Sequence, residues 1–186
     1  PGHPERIVSL NLCTDQLLLQ LVEPQRIAAV SRLAHDPGLS VLEPQARALP
    51  AVRGATEEVL LLKPDLVLTN VSYLPLAGAA RAGIPSLSLC SLNWADLFQH
   101  FFGHEIWAAA IHAEMLSAYR SAQKFLRVTP GMAMPEFDHV HAIGPIAAIG
   151  QKHDLGLGQD KGVLIAMGGI THRLPVENWP RHPGVC

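Results

Sequence analysis

The side chains with chemical potential are few and scattered along this chain. Asp96, His100 and His104 recur every four residues in a stretch rich in helix formers, which sets three metal-ligating groups along one helix face. Gly103 interrupts that stretch and no second cluster accompanies it, so the three read as solvated helix residues and no metal site is expected. His139 and His141 alternate, which on a strand puts both rings on one face; a solvent-facing strand accounts for them. Thr14 suits the N-cap of a helix and Asp15 its positive end, and the pair follows a strand-like run, where a ligand contact and a plain cap are both open readings. Gly168 and Gly169 follow the apolar run 163–167, and two glycines there let a phosphate approach the backbone; a strand-ending turn uses the same pair. The sequence holds no Gly-x-Ser-x-Gly, no His-Glu-x-x-His and no Gly-x-x-x-x-Gly-Lys-Ser/Thr, so no nucleophile elbow, zinc-protease helix or phosphate loop is expected. No catalytic residue and no cofactor follow from these spacings.

The elements that must position these residues alternate. Runs 7–10, 27–31, 66–69 and 86–90 are short, apolar and partly β-branched, the pattern of strands covered on both faces. Between them lie helical stretches at 16–22, 56–62 (with Thr56 as N-cap) and 76–82, each closed by Pro or Gly. Strand and helix in alternation predict an α/β fold, a Rossmann-like parallel sheet lobe. In such a sheet ligands bind beyond the carboxyl ends of the strands, so residues 11–14, 53–56, 70–73 and 91–93 are the loops of interest, Tyr73 among them. From Trp94 to residue 127 there is no Pro and one Gly, which predicts one broken helix or two. Pro and Gly then punctuate a loop-rich carboxyl-terminal segment with one clear strand at 163–167. The expected organisation is a lobe at 5–92, a helical segment at 93–127, and an interdomain-like segment at 128–186 that forms an incomplete domain.

Composition narrows the function classes. The 186 residues are 48% apolar with a formal net charge of -2, which suits a buried core and offers no electrostatic footprint for nucleic acid or an anionic membrane. No apolar run is long enough for a membrane span. Cys13, Cys90 and Cys186 are odd in number and widely spaced, so no disulfide framework is expected, and Cys13 and Cys90 read as small buried apolar residues. The chain opens at Pro1 without an initiator Met, a basic stretch or an apolar leader, which reads as a mature or truncated product.

Two family resemblances overlap on this chain. Arg6-Ile7-Val8-Ser9-Leu10-Asn11-Leu12-Cys13-Thr14-Asp15-Gln16-Leu17-Leu18 resembles the opening of periplasmic substrate-binding proteins of the cobalamin and iron–siderophore class. Arg26 to Ser31 looks like the second strand of that family, and Thr56-Glu57-Glu58-Val59-Leu60-Leu61-Leu62-Lys63-Pro64-Asp65-Leu66-Val67-Leu68 looks like its Pro-Asp-strand segment. The resemblance covers 5–69. It implies two lobes joined by a rigid helix, with a corrinoid, haem or ferric chelate captured between them without catalysis. The matching cleft positions are Asn11, Leu12, Cys13, Thr14, Arg53 and Gly54, to which the strand-end rule adds Tyr73. The implied partner is an ABC transporter permease, and the implied location periplasmic or extracytoplasmic if a signal was removed, otherwise cytoplasmic. Residues 91–186 do not carry that family's second strand–helix series.

The other resemblance covers about 65–186. Asn70 to Tyr73, Ala77 to Pro85 and Cys90 to Asp96 are similar to glycosyltransferases built of two Rossmann-like domains, the GT-B architecture. Phe125-Leu126-Arg127, Pro130 and His141 to Ile146 are similar to the end of the acceptor domain and the interdomain segment. Val163 to Gly169 resembles the first strand and glycine turn of the nucleotide-sugar domain, which implies a diphosphate near Gly168 and Gly169. The two patterns meet near Pro64-Asp65-Leu66-Val67-Leu68. Three functions are therefore expected in turn: the solute-binding component of an importer, a fragment of a nucleotide-sugar-dependent transferase, and a truncated or chimeric chain without activity of its own.

Overall fold

A computed structural model describes residues 2–147, 151–154 and 173–180. The chain divides into one unit from Pro1 to Ile146 and a second from Ala147 to Cys186. In chain order the first unit runs β1 (Ile7–Ser9), α1 (Leu12–Leu21), β2 (Ile27–Ser31), α2 (Glu43–Ala46), β3 (Ala51–Val52), α3 (Thr56–Leu61), β4 (Leu66–Thr69), α4 (Tyr73–Arg81), β5 (Ser86–Cys90), α5 (Trp94–Phe102), α6 (Ala108–Ser121), β6 (Lys124–Val128) and β7 (Val140–Ile143). The described part of the second unit includes a 3-10 turn at Val176–Asn178, where Arg173 Nη2 donates to Glu177 Oε1 at 3.1 Å. The strand expected at 163–167, with Gly168 and Gly169, lies outside the described residues.

The seven strands form one sheet in the order β3-β2-β1-β4-β5-β6-β7, and every pairing is parallel. The fold is α/β and Rossmann-like, as the alternation predicts. β1 is flanked by β2 and β4, so the chain leaves it first in one direction and then in the other. That is the point at which strand order reverses, and it opens a crevice at the carboxyl ends of β1 and β4.

Register fixes which side chains face which helices. Ile7, Val8 and Ser9 stand opposite Leu66, Val67 and Leu68. Ile7, Ile27, Val30 and Leu68 pack with Leu18 of α1 and Ala46 of α2 on one face. Val8, Ala29 and Val67 pack with Val59 of α3 and Ala79 of α4 on the other. A third cluster, built on Leu76, Ala95, Met115, Tyr119 and Phe125, seats α4, α5 and α6 on the sheet. Asp65 closes the entry to the central pair: its carboxylate accepts from the amides of Glu5 at 2.8 Å and Arg6 at 3.0 Å, which ties the start of β1 to that of β4. The Pro-Asp-Leu sequence at 64–66 thus ends α3 and anchors the register of the sheet's centre.

Several expectations are corrected. α1 begins at Leu12, four residues earlier than its apolar run implies, and its N-cap is Asn11, whose side chain accepts from Cys13 N. Thr14 is therefore inside the helix, where its hydroxyl donates to Asn11 O at 2.9 Å. Thr56 is the first residue of α3, not its cap, and Ala55 holds the cap position. Cys13 is exposed and Cys90 half-buried, against the expectation that both are buried; the inward residues of α1 are Thr14, Asp15 and Leu18, which leaves Cys13 outside. The sheet continues past residue 92, and β6 occupies the end of the stretch expected to be helical. Within β6 only Phe125 is fully buried, so Lys124 to Val128 never forms the continuous apolar run that marked the central strands.

Candidate functional site

A cleft of about 860 Å³ opens where the strand order reverses. Its floor is Leu10, just past β1, and Val67 of β4. One wall is the β3–α3 turn with Gly54 and Ala55, continued by Thr56, Val59 and Leu60 of α3. The opposite wall comes from α5, which turns Trp94, Leu97, Phe98, Phe101 and Phe102 toward the space, with Met115 of α6 behind them. Between the walls runs α4, contributing Tyr73, Leu74, Gly78 and Ala79. Gly54 adopts a φ of +89°, a left-handed turn that glycine makes without strain and that swings the chain from β3 into α3.

Among the described residues, the lining contains no Asp, Glu, Lys, Arg or His. Its polar side chains are Thr56, Ser72, Tyr73 and the indole of Trp94. The aromatic wall is layered: the rings of Phe98 and Phe102 lie 5.3 Å apart, and Trp107, beyond the end of α5, stacks obliquely on Phe102 at 5.8 Å. Trp94, Phe101 and Phe102 are 50%, 62% and 44% exposed, so the wall presents large apolar rings at the surface. Soluble proteins rarely keep such a surface without a use for it.

One buried phenol ties the β4–α4 turn to the start of the α5 wall. Tyr119 of α6 has no exposed surface, and its hydroxyl donates to Val71 O at 2.8 Å while accepting from Trp94 N at 3.2 Å. Burial pushes its pKa up to about 12. Val71, between β4 and α4, has a φ of +57°, a conformation that costs a β-branched residue about 1–3 kcal/mol. Asn70 Nδ2 donates to Leu89 O at 2.9 Å on the other side of the same turn. The strained turn thus leads into Ser72 and Tyr73 at the cleft, and Tyr119 connects it to the first residue of α5. Asn93 caps that helix, accepting from Asp96 N at 2.9 Å.

On the other face of the sheet, the ends of β1 and β2 bury a small polar centre. Asp15 accepts from Ser31 N at 3.0 Å and Ser31 Oγ at 2.5 Å, and Ser9 Oγ lies 2.7 Å from Thr14 Oγ1. Burial raises the Asp15 carboxyl above its usual range; the hydrogen bonds from Ser31 and Ser9 and the nearby His35 oppose that shift without cancelling it. Nearby, Gln16 Nε2 donates to Ser40 Oγ at 2.8 Å.

Of the residues expected at a ligand site, Gly54 and Tyr73 come together in the cleft. Asn11, Leu12, Cys13, Thr14 and Arg53 are not among its lining residues. Asn11 caps α1, Thr14 is buried against Ser9, and Arg53 is exposed with its amide donating to Glu58 Oε2 at 2.8 Å. Asp96, His100 and His104 do not converge: Asp96 binds Asn93, His100 and His104 are exposed, and His104 lies 3.3 Å from Glu105. His139 precedes β7 and its Nε2 is 3.1 Å from Tyr119 O, while His141 is exposed. The residues missed in the sequence are the aromatic ones of α5. Their signal was present, because Trp94, Phe98, Phe101 and Phe102 follow the i, i+4, i+7, i+8 spacing of one helix face. Compared with known proteins, the chain matches no family model, no curated protein and no solved structure.

Proposed function

We propose that residues 2–146 form the acceptor-holding domain of a glycosyltransferase of the two-domain type, with the cleft at the strand-order reversal as the acceptor seat. The observation that carries this reading is the continuity of the sheet. β6 and β7 extend the sheet begun by β1, and the unit ends at Ile146, within the stretch that resembles the interdomain segment of those enzymes. The importer reading calls instead for a helix that leaves the first lobe after its last strand; α5 and α6 return to the same sheet and feed β6. Among the described residues no charged side chain lines the cleft to act as acid or base, so on this reading the domain binds and orients its ligand. The donor falls to the chain beyond Ile146, with the diphosphate at Gly168 and Gly169.

The test offers the full chain a set of nucleotide sugars together with a library of alcohols and phenols, and in parallel corrinoids and ferric chelates. A ligand at 100 times its dissociation constant adds about 2.7 kcal/mol to stability. For a chain of this size that is a rise of roughly 5–10 °C in Tm. Stabilisation by a hydroxyl-bearing compound, with a glycoside detected by mass spectrometry, is the expected result. Stabilisation by a corrinoid or chelate alone overturns the reading in favour of the importer component.

A further inference from the structure

We infer that the cleft is selective for charge-neutral, ring-bearing apolar molecules and rejects anions, including the phosphates and carboxylates that nucleotides, haems and most ferric chelates carry. The inference rests on the cleft being the ligand seat proposed above, and it adds the chemistry of what sits there. Two observations carry it. About 860 Å³ is the volume of a seat for one drug-sized molecule, in a concavity at the switch point of a parallel sheet. Its lining offers rings on one side and aliphatic groups on the other, with no cation to meet an anion and no carboxylate to meet a cation.

The volume of the seat suits one small molecule. A flat ring system slides between Phe98 and Phe101 on one side and Val59 and Leu60 on the other, over the bare backbone of Gly78. A side chain added at Gly78 meets no atom within 4 Å, so the space above α4 is open to the ligand.

Two probes with the same rings isolate the effect of charge: N-phenyl-1-naphthylamine, which is neutral, and its 8-sulfonate. Both fluoresce on entering an apolar site. Gly78→Leu is the blocking variant, because it fills the cleft from a helical position where leucine is a better helix former than glycine. Its folding is checked by Tm, which is expected to stay level or rise. The full chain should bind the neutral probe at one site at least tenfold more tightly than the sulfonate, and Gly78→Leu should abolish that site. Comparable affinities for the two probes, both lost in Gly78→Leu, overturn the charge selectivity while leaving the cleft as the seat. Probe binding that Gly78→Leu leaves unchanged overturns both, as does the absence of binding by either probe. Sedimentation runs alongside: self-association that Gly78→Leu or the neutral probe disrupts would make the groove a contact between copies and overturn the inference.

Discussion

Removing the hydroxyl of Tyr119 should loosen the β4–α4 turn and the start of α5 at once. The Tyr119→Phe change keeps the ring, which packs against Phe125 and Phe137 at centroid distances of 5.8 and 5.6 Å, and removes one oxygen. Two backbone groups then lose their partner. Trp94 is half exposed at a helix start, where water can replace the lost acceptor, so its share is small. The Val71 carbonyl belongs to a residue only 4% exposed, and an unsatisfied buried acceptor costs about 1–3 kcal/mol. The expected loss is therefore about 2 kcal/mol, which for this chain corresponds to roughly 4–8 °C in Tm. Part of that loss is returned if the turn relaxes, since the left-handed valine stores about 1–3 kcal/mol of its own. A double-mutant cycle with Val71→Gly reads that return. Glycine carries no such strain, so Tyr119→Phe should cost about 1 kcal/mol more in the Val71→Gly background than in the native one. Hydrogen exchange supplies the local readout: amides at 71–74 and 94–98 should speed up together, while those of β1 and β2 keep their rates. A loss below about 0.5 kcal/mol, or faster exchange in only one of the two segments, would refute the idea that one phenol braces both.

Other changes test neighbouring parts of the argument. The Asp15 carboxyl is raised by burial from 3.8, so the folded state holds its proton more tightly than the unfolded chain does. Its contribution to stability is full below pH 3.8 and is lost as the pH rises through the folded value; Asp15→Asn should flatten that fall in a denaturation series from pH 3 to 7. Gly83 sits at a φ of +68° after α4 with open space around it, so Gly83→Ala should cost about 1 kcal/mol by urea unfolding, through backbone strain alone. Gly78→Lys gives the cleft the cation it lacks; fluorescence titration should show the sulfonated naphthylamine gaining affinity while the neutral one weakens.

The sequence disclosed the centre of the sheet better than its flank. β1, β2, β4 and β5 are covered on both faces, or nearly so, and write themselves as short apolar runs between Pro and Gly. β6 carries Lys124 and Arg127 around a single fully buried residue, Phe125, and β7 has exposed His141 and Ala142 at its middle; neither has a run to read. The same limit applies to α1, whose first turn contains the polar pair Thr14 and Asp15. Both are buried because Ser9 and Ser31 lie within reach, and only the tertiary pairing of β1 with β2 supplies those partners. At the site, the strand-end rule located Gly54 and Tyr73 because it depends on topology alone. It did not reach Trp94, Phe98, Phe101 and Phe102, which enter from a helix. It also placed weight on Asn11 to Thr14, which α1 consumes in its own capping and burial.

The segment where the two resemblances meet, Pro64 to Leu68, enters β4, and β4 is hydrogen-bonded to β1 on one side and to β5 on the other. A seam at that position lies in the interior of the sheet and has no surface linker to absorb a mismatch. Any recombination that joined two ancestors there had to preserve strand spacing, direction and register on both flanks simultaneously. Residues on either side of the seam now share one cooperative fold, so fragments cut at 63–65 would each expose a central strand edge, and each would need the other to bury it. The carboxyl ends of β1 and β4 would fall on different fragments, so neither fragment alone would hold the crevice they share.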